Sequence, residues 1–482
     1  MLAIDIGSTT VKAARFSVDG ARSGEVAVRR HRVGVTAALD LERVLRAVLE
    51  VVDGVGARGV EAVALTTVWQ TVVRVGPDGG IRGEPATWES APSAAAMRRV
   101  RDAVGASWDH SVSGAYLHSS YPLLVAAAER ALAADDRLQD VGSWLVERLT
   151  GTSVGWSEPI AAGSGLWDQR RRSWSNVADN LGVRAQLERA PLHTDVVEAS
   201  RLHPGLPTAL RSARWAPPLP DGLCHNLGVG AIDDAVAITV GTSGSVRAVL
   251  TADPDGSPSG LWHYRCGHDT HALGGAISTA GNLLEWVCQL TGDNLSWSWA
   301  EGVAPRLPSI RAVPDVYGRR GPDYPFDATG SVIGLRPHHT LADLADAFSV
   351  DMWSRFALLY RLLSRTHPIV SARAGGGVIE RVPVAAQILA DALGVPVAVS
   401  AADQPALRGA ALVASALLRP LGKHFSAVDH VARAIAAGET EPPAFTRSAQ
   451  PREAWTRALA ERWADAPPPV DARQPDACPQ KP

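Results

Sequence analysis

The sequence predicts an α/β protein built from two similar domains that face each other. A chain of 482 residues is too long for one hydrophobic core, so two domains of roughly 200 residues each are expected. Strand-like segments alternate with segments of helical periodicity, which is typical of α/β folds. The opening segment AIDIGSTT (3–10) returns as AITVGTSG (237–244), and a second strand-like run follows each time. This return indicates a repeated domain.

The elements of the first half follow from local pattern. Residues 2–6 and 11–17 predict a strand hairpin, and the later segments predict a helix at 39–55, strands at 61–68 and 71–76, and helices at 94–104, 121–134 and 142–149. The run Pro217-Pro218-Leu219-Pro220 is typical of a connector between domains. The first half is therefore expected to end there.

The second half repeats the strand, turn and strand pattern. Strands are predicted at 237–244 and 245–250, and a strand-like run at 367–374 precedes three glycines and an apolar helix. The second half is expected to end near Pro420. The tail from about Ala466 is rich in proline and polar residues, so it is expected to be disordered.

Composition excludes several classes of function. A net charge of −3 gives no reason to expect a nucleic-acid or anionic-membrane partner. No stretch approaches about 18 apolar residues, so no transmembrane helix is expected, and residues 1–6 lack the basic region of a signal peptide. The histidines show no metal-ligand spacing, so no transition-metal site is expected. Four widely spaced cysteines fit a reducing cytoplasm.

The two matched turns have the same possible chemical role. Turns of Gly, Ser and Thr leave backbone N–H groups and hydroxyls that bind phosphate oxygens, and glycine lets a phosphate approach closely. Asp5 ends the first strand, where a carboxylate is suited to hold Mg²⁺ through water, and Lys12 is suited to offset phosphate charge. One such turn alone is more often a plain hairpin turn. Two matched turns together with an acid favour a site that binds a polyphosphate from both sides.

A third glycine cluster lies in AGGGVIERVPVAAQILADALGVPV (374–397), between a strand-like run and an apolar helix. Glycine-rich turns from strand to helix often accept a nucleotide, although a tight turn alone also requires glycine. This cluster adds a third possible contact with the same ligand.

These segments together resemble the FGGY family of carbohydrate kinases. The resemblance spans residues 1 to about 420 and rests on the order and spacing of its motifs: DIGSTTVK (5–12), TGTSVGWSEPIAAGSGLWD (150–168), DGLCHNLGVGAIDDAVAITVGTSGSVR (221–247), LGGAISTAGNLLEWV (273–287), GGGVIERVPVAAQILADALGVPV (375–397) and ALRGAALVA (406–414). Within the family the chain is most similar to gluconate kinases, through GTSGSVR, GGAISTAGN and LRGAA.

The resemblance implies two homologous actin-like (ribonuclease H-like) domains with an ATP and sugar cleft between them. It implies an N-terminal domain at 1–220, a C-terminal domain at 221–430, and a terminal helix and tail at 431–482. The implied reaction transfers a phosphoryl group from ATP to a sugar or sugar acid, with Mg²⁺. Asp221, followed by Asn226 and Gly228, matches the family's catalytic base, although Pro-Asp-Gly is also a common turn.

The resemblance also assigns nucleotide contacts, residue by residue. The matching positions are Gly7, Ser8, Thr9, Thr10 and Lys12 in the first phosphate motif, Gly241, Thr242, Ser243 and Gly244 in the second, Gly281 and Glu285 on a nearby helix, and Gly375, Gly376 and Gly377 in the adenosine motif. Asp5 is the implied Mg²⁺ residue.

The sugar side departs from the family pattern. Gln70 replaces a histidine, the W-x-D-x-R motif reads Trp88-Glu89-Ser90-Ala91-Pro92, and Pro220 replaces the glycine ahead of Asp221. The loop YGRRGPDYPFD (317–327) offers Arg319, Arg320, Asp323 and Tyr324. The residues expected to contact substrate, each with core packing as the alternative, are Trp69, Gln70, Trp88, Glu89, His118, Tyr121 and Arg247, the last of which is otherwise a solvated strand residue.

Gluconate, phosphorylated to 6-phosphogluconate, is the single acceptor that these patterns favour. Another polyol or ketose such as xylulose or glycerol is the alternative, and a decayed, regulatory nucleotide-binding protein is a second class. An actin-like or chaperone ATPase would share the fold without explaining Asp221 and its following residues. The expected partner is a small molecule, and the chain is expected to be a monomer or homodimer.

Overall fold

A computed structural model gives the fold. It describes residues 1–32, 38–88, 90, 94–104, 108–124, 132–190, 192, 196–254, 256, 258–292, 307–322, 324–325, 328–382, 384–401, 404–420, 426–440 and 443–464.

The first half contains eleven short strands and seven helices among its described residues. The strands are β1 Leu2–Ile6, β2 Thr10–Phe16, β3 Arg22–Arg30, β4 Ala62–Thr67, β5 Thr71–Val75, β6 Ala86–Thr87, β7 Arg137–Gln139, β8 Trp167–Asp168, β9 Ser173–Trp174, β10 Arg214–Trp215 and β11 Leu219–Pro220. The helices are α1 Leu41–Val55, α2 Ala94–Val104, α3 His110–Ser113, α4 Val141–Thr150, α5 Glu158–Ala162, α6 Asn176–Asn180 and α7 Arg184–Glu188, with a 3₁₀ helix at Thr208–Ser212.

The first sheet has the order β3-β2-β1-β4, and both β10 and β11 pair with the far side of β4. The pairs β1–β2 and β2–β3 are antiparallel, whereas β4 runs parallel to β1, β10 and β11. Side chains of β1 alternate between two hydrophobic layers, so the sheet is covered on both faces.

The second half supplies a second set of elements. Its strands are β12 Ala235–Val240, β13 Gly244–Leu250, β14 Trp262–Arg265, β15 His271–Ile277, β16 Arg311–Val313, β17 Ser331–Ile333, β18 Ser371–Gly375, β19 Val397–Ser400 and β20 Phe445–Ala449. Its helices are α8 Asp221–Val229, α9 Gly281–Thr291, α10 Leu341–Asp351, α11 Trp353–Ser364, α12 Gly377–Arg381, α13 Ala385–Leu393, α14 Pro405–Ala416, α15 Ala427–Ala436 and α16 Glu453–Trp463.

The second sheet repeats the pattern of the first. Its order is β14-β15-β13-β12-β18-β19-β20. The pairs β12–β13 and β13–β15 are antiparallel, and β12–β18 and β18–β19 are parallel. Because the same sequence of pairings builds both sheets around the matched hairpins, the repeat predicted from residues 3–10 and 237–244 is confirmed.

Two glycines let helices from distant parts of the chain cross closely. A Cβ at Gly228 in α8 would overlap the carbonyl oxygen of Pro405, and one at Gly409 in α14 would overlap that of Cys224. Buried residues of α8, α14 and α15 join the same hydrophobic cluster as Ala3 and Ala64 of the first sheet. Helices α8, α14 and α15 therefore pack in the core that covers one face of the first sheet.

The predicted connector at residues 217–220 has a different structure. Leu219 and Pro220 form β11, pairing in parallel with Thr66 and Thr67 of β4, and both are buried. Proline lacks an N–H group, so it is tolerated at a sheet edge, and the chain passes directly from this edge strand into α8. The helices predicted at 39–55, 94–104 and 142–149 begin and end within about two residues of those bounds.

Part of the helix predicted at 121–134 and the predicted disordered tail from about Ala466 lie outside the described residues. In the part of the chain that the structure describes, none of the helices combines the length and apolar character needed to cross a membrane.

Candidate active site

Two carboxylates lie at one edge of the first sheet. Asp5 is the fourth residue of β1 and pairs with Thr66 of the parallel strand β4, which in turn pairs with Leu219 of β11. Asp221 begins α8 directly after β11. Since the carboxyl ends of parallel strands meet at one sheet edge, a typical ligand position in α/β proteins, the two acids lie near each other. Asp221 is indeed among the charges that raise the pKa of Asp5.

Asp221 is held by backbone groups from both halves. Its Oδ1 accepts hydrogen bonds from the N–H of Trp69 over 3.1 Å and from the N–H of Gly222 over 2.7 Å. Burial raises the pKa of Asp221, while the Arg247 charge and these N–H groups oppose the rise. The carboxylate is therefore fixed in position and has an increased affinity for a proton.

Arg247 lies on β13, is half-buried and acts on Asp221 with its charge, so it is not a solvated strand residue. Its guanidinium donates to Oδ1 of Asn226 over 3.2 Å, to Oγ of Ser245 over 2.5 Å and to Oγ1 of Thr239 over 3.3 Å. Asn226 in turn donates to the carbonyl oxygen of Arg247 over 3.1 Å. Asn226 thus holds the guanidinium of Arg247 in position, and Arg247 acts on Asp221, five residues before Asn226.

Asp5 is 9% exposed, and burial raises its pKa to about 7, against the charge of Lys12. Lys12 pairs with Asp5 across the β1–β2 hairpin, and its Nζ donates to Oε1 of Gln404 over 2.7 Å. A buried carboxylate with a second carboxylate nearby fits a hard divalent cation such as Mg²⁺, because the cation offsets the cost of burying the charge.

The first predicted phosphate turn, Gly7 to Thr10, closes with a hydrogen bond from the N–H of Gly7 to the carbonyl oxygen of Thr10 over 2.9 Å. His31 holds the turn from outside: its Nε2 contacts the carbonyl oxygen of Gly7 at 2.9 Å, and its N–H donates to that of Thr9 over 3.1 Å. Ser8 and Thr9 are partly exposed. The turn is a hydrogen-bonded strand connection whose middle residues are accessible.

The second turn is one residue shorter, since the N–H of Gly241 donates to the carbonyl oxygen of Ser243 over 3.0 Å. Thr242 is exposed at its tip. Gly244 lies in β13 rather than in the turn, and a Cβ there would meet Phe356 at 2.5 Å, so this glycine permits core packing. The constant offset between the two motifs therefore ends within the turns.

The start of α9 is hydrogen-bonded to the second turn. The N–H of Gly281 donates to the carbonyl oxygen of Gly241 over 2.8 Å, and that of Asn282 to Thr242 over 3.1 Å. A Cβ at Gly281 would lie 2.6 Å from the Gly241 oxygen, so only glycine fits. Glu285 lies one turn further along α9 and is exposed.

The third glycine cluster meets the second turn at the neighbouring strand end. Gly375 ends β18, beside Thr239 of β12, and a Cβ there would meet no atom within 4 Å. Gly376 has a φ of 104°, and a Cβ would lie 2.7 Å from the Val240 carbonyl oxygen. Gly377 starts α12. The structure therefore brings together the second turn, the α9 start and this cluster, leaving open space at Gly375.

Aromatic residues form a wall beside Asp221. The ring of Trp69 contacts Tyr264 at 5.1 Å and Trp262 at 6.0 Å between centroids, and the latter two stack on β14 at 4.6 Å. Gln70 has a φ of 62°, and its Nε2 donates to the Tyr264 hydroxyl over 3.4 Å. Nε1 of Trp69 is buried without a hydrogen-bond partner among the described residues.

The wall continues through buried tyrosines. The hydroxyls of Tyr121 and Tyr264 are 2.7 Å apart, and Tyr116 stacks on Tyr324 with 4.6 Å between centroids. His118 contacts Tyr324 edge-on at 5.6 Å, and burial together with the Arg320 charge lowers the pKa of His118 to about 4. His118 is therefore neutral at physiological pH.

Arg320 crosses from the second half to this wall. Its guanidinium lies 4.6 Å from the ring centroid of Trp88, and one of its nitrogens donates to the carbonyl oxygen of Ile277 over 3.1 Å. Glu89 and Asp323, two further residues singled out in the sequence, lie outside the described residues. The positive charge of Arg320 thus lies beside Trp88 at the proposed acceptor site.

Trp262, Tyr264 and Tyr116 were not expected from the sequence. The run Trp262-His263-Tyr264 alternates along β14, placing both aromatic rings on one face. That alternation was the available signal, although only the structure shows that this edge strand contacts Trp69 of the other half.

Comparison with known proteins agrees with this architecture. Residues 236–418 match the C-terminal domain of the FGGY family of carbohydrate kinases. The chain is 21% identical to the gluconokinase of Bacillus subtilis (strain 168) over 423 residues, which cover 78% of this chain and 80% of that protein.

Solved structures share the whole fold. Gluconate kinase from Lactobacillus acidophilus superposes with a TM-score of 0.80 and 19% identity, covering 96% of each chain. A ligand-bound xylulose kinase from the same organism gives 0.78 and 18%, covering 96% of this chain and 98% of that one. Plasmodium falciparum glycerol kinase with ADP gives 0.77 and 14%, covering 96% and 97%. Residues 236–418 therefore belong to the C-terminal domain of the FGGY family of carbohydrate kinases, and the whole chain has the fold of these solved carbohydrate kinases.

Proposed function

We propose that this kinase transfers the γ-phosphoryl group of Mg-ATP to gluconate and forms 6-phosphogluconate. Membership of a kinase family implies ATP as the donor. The observation that carries the acceptor assignment is Arg320, whose guanidinium lies on the ring of Trp88 and acts on His118 with its charge. A guanidinium recognises a carboxylate through two parallel hydrogen bonds, which a neutral polyol does not provide. The gluconokinase relative supports the same acceptor.

Asp221 acts as the general base in this proposal. Its carboxylate accepts the proton of the acceptor hydroxyl as that oxygen attacks the γ-phosphorus. The N–H groups of Trp69 and Gly222 orient one carboxylate oxygen, and the charge of Arg247 favours the ionised form against the effect of burial, which raises the pKa. These contacts support the role because they position a base without neutralising it.

The phosphates of ATP occupy the two hairpin turns, with Ser8, Thr9, Thr242 and Ser243 donating from backbone and hydroxyl groups. The adenosine binds at Gly375, where the structure leaves open space. Bound Mg²⁺ offsets phosphate charge, and Asp5 holds it, since this buried carboxylate has the matching chemistry. Lys12 lies on the strand beside Asp5 and adds a positive charge at the same place.

The acceptor lies against the aromatic wall. Trp69 and Trp88 pack against its carbon backbone, while Gln70, His118 and Tyr121 contact its hydroxyls. In this arrangement residues 1–220 supply one phosphate turn and most of the acceptor contacts. Residues 221–430 hold the nucleotide and add Arg320 to the acceptor site, and residues 431–482 form a terminal extension. The reaction takes place in the cytoplasm, where ATP is available, and the enzyme is a monomer or homodimer.

Xylulose or glycerol is the second candidate acceptor. The observation in its favour is that solved xylulose and glycerol kinases match 96% of the chain with TM-scores of 0.78 and 0.77. Such acceptors are neutral, so they make no use of Arg320 as a carboxylate partner.

A coupled ADP-release assay with Mg-ATP separates these possibilities. The panel contains gluconate and other sugar acids, xylulose, glycerol and related polyols, each tested with the wild type and with Asp221→Ala. We expect turnover on gluconate that the variant loses. Turnover only on a neutral acceptor contradicts the gluconate assignment. ATP binding without turnover on any member supports a decayed, regulatory protein.

A further inference from the structure

Three potential metal ligands meet away from the kinase site. His263 of β14 and His271 of β15 lie diagonally across an antiparallel pair, and Asp253 lies in the segment after β13. Nε2 of His263 is 2.9 Å from Nδ1 of His271, and one ligand atom from each of the three residues lies within 4.8 Å of the others. Sequence spacing gave no sign of this group, because β-sheet pairing rather than helical spacing assembles it.

Both imidazoles are suited to coordinate a cation. Burial is the main cause that lowers the pKa of His263 to about 3 and that of His271 to about 4. Both rings are therefore neutral at pH 7, and each retains one nitrogen lone pair. Nε2 of His271 is buried and has no hydrogen-bond partner among the described residues. The hydrogen bond between the rings therefore leaves this nitrogen of His271 unsatisfied.

The surrounding charges are mixed, because Arg265 and Arg170 act on His263 with positive charge while acidic groups act on His271. Arg265 is the cation nearest in sequence, and its guanidinium already donates to the carbonyl oxygens of Gly267 and His268. Asp253, Asp269 and Asp429 all act on His271 with negative charge. Asp253 is exposed, so it gives a cation a path from solvent.

We propose that Asp253, His263 and His271 bind a divalent transition-metal ion of the zinc type. Two imidazoles and one carboxylate are a common zinc ligand set, with water completing a tetrahedron. In that geometry the two nitrogens are about 3.3 Å apart, so the imidazoles separate slightly and the exposed Asp253 side chain moves inward. The ion replaces the hydrogen bond between the rings.

The site stabilises the strand that carries the aromatic wall. His263 points to the opposite face of β14 from Trp262 and Tyr264, which contact Trp69. The N–H of His263 also donates to the carbonyl oxygen of Gly114 in the first half over 2.8 Å. A bound ion therefore fastens β14 to β15 and to the segment after β13. It takes no part in phosphoryl transfer, so the proposal does not depend on the acceptor.

Titration of the metal-free, tag-free chain with Co²⁺ tests the site, because tetrahedral Co²⁺ with nitrogen ligands has visible absorption bands and Zn²⁺ displaces it. The variants are Asp253→Asn, whose exposed position leaves folding intact, and His271→Gln. His268→Gln is the matched control, since His268 lies in the connection between β14 and β15 and outside the three-residue group.

We expect one Co²⁺ per chain in the wild type and the control, and at least about tenfold weaker binding in the other two variants. Zn²⁺ should raise the thermal midpoint of the wild type more than that of Asp253→Asn at the same concentration. Absent bands, or binding equally tight in Asp253→Asn, overturns the proposal.

Discussion

The backbone N–H of Trp69 donates a hydrogen bond to Oδ1 of Asp221 over 3.1 Å. Trp69 follows β4 of the first half, and Asp221 starts α8 at the beginning of the second half. The same Trp69 ring contacts Tyr264 on the edge of the second sheet. One residue therefore positions the proposed base and forms part of the proposed acceptor surface.

Replacement of Asp221 by asparagine tests the base directly. Asparagine keeps an oxygen to accept the N–H groups of Trp69 and Gly222, but it cannot accept a proton. We expect kcat to fall by about 10² to 10⁴ with ATP affinity and thermal midpoint unchanged, measured by ADP release and calorimetry. Asp102→Asn, an exposed change on α2, is the control. Full activity in Asp221→Asn would exclude this residue as the base.

The pH profile tests the influence of Arg247. Burial raises the pKa of Asp221 and Arg247 opposes that rise, with Asp5 as the other nearby acid. Activity requires the ionised form, so kcat/KM falls as pH drops through this pKa. Removing the cation in Arg247→Gln favours the protonated form, and we expect the acid midpoint to move up by about 1 pH unit. Arg247→Lys keeps the charge and should move it less; equal midpoints in all three proteins contradict the role.

His118 should not appear in that profile. Its pKa is lowered to about 4 by burial and by Arg320, so it carries no charge over the range in which the enzyme is assayed. We expect His118→Gln to raise the KM for the acceptor and to leave both the shape and the midpoints of kcat/KM against pH unchanged. Loss of a transition between pH 6 and 7 in this variant would mean that His118 titrates as a functional group.

The fold was largely predictable because it depends on short-range patterns. The matched turns at Gly7 and Gly241 identified the repeat, and both hairpins occur as expected. The strand at residues 219–220 was not expected from the sequence, because three prolines look like a linker. An edge strand tolerates them when its partner is supplied by β4, far away in sequence. The crossing of α8 and α14 also joins residues about 180 positions apart, which no local pattern reports.

The site was predictable only in part. Asp5, Asp221 and the glycine turns lie at strand ends, where sequence patterns are informative. The contacts of Arg247 with Asn226 required the structure, because its solvated and paired states have the same sequence pattern. Gly244 matched a phosphate motif by position but packs on Phe356, since the second turn is one residue shorter than the first.

Arg320 should distinguish acidic from neutral acceptors. Its guanidinium lies over Trp88, and Arg320→Met removes the charge while keeping an extended side chain. We expect the KM for gluconate to rise at least tenfold, about 1.4 kcal/mol, with little change for ATP. Any slow turnover on a neutral polyol should be unaffected. The control is Arg336→Met, an exposed change. An equal loss on acidic and neutral acceptors would assign Arg320 a structural role.

The crossing of α8 and α14 makes a stability prediction. A Cβ at Gly409 would overlap the carbonyl oxygen of Cys224, so Gly409→Ala forces the helices apart along their contact, at a cost of about 3 kcal/mol. Gly54→Ala is the matched control. Gly54 lies in α1, where alanine is favoured over glycine by about 0.5–1 kcal/mol, and its added Cβ would meet Ala27 of β3 at an ordinary contact distance of 3.5 Å. We expect a clearly lower thermal midpoint for Gly409→Ala, and an equal or higher one for Gly54→Ala, by differential scanning calorimetry. Since α14 packs in the same core as the sheet that carries Asp5, the Gly409→Ala protein should also lose activity at temperatures that the wild type tolerates. A wild-type midpoint for Gly409→Ala would show that the two helices separate without cost.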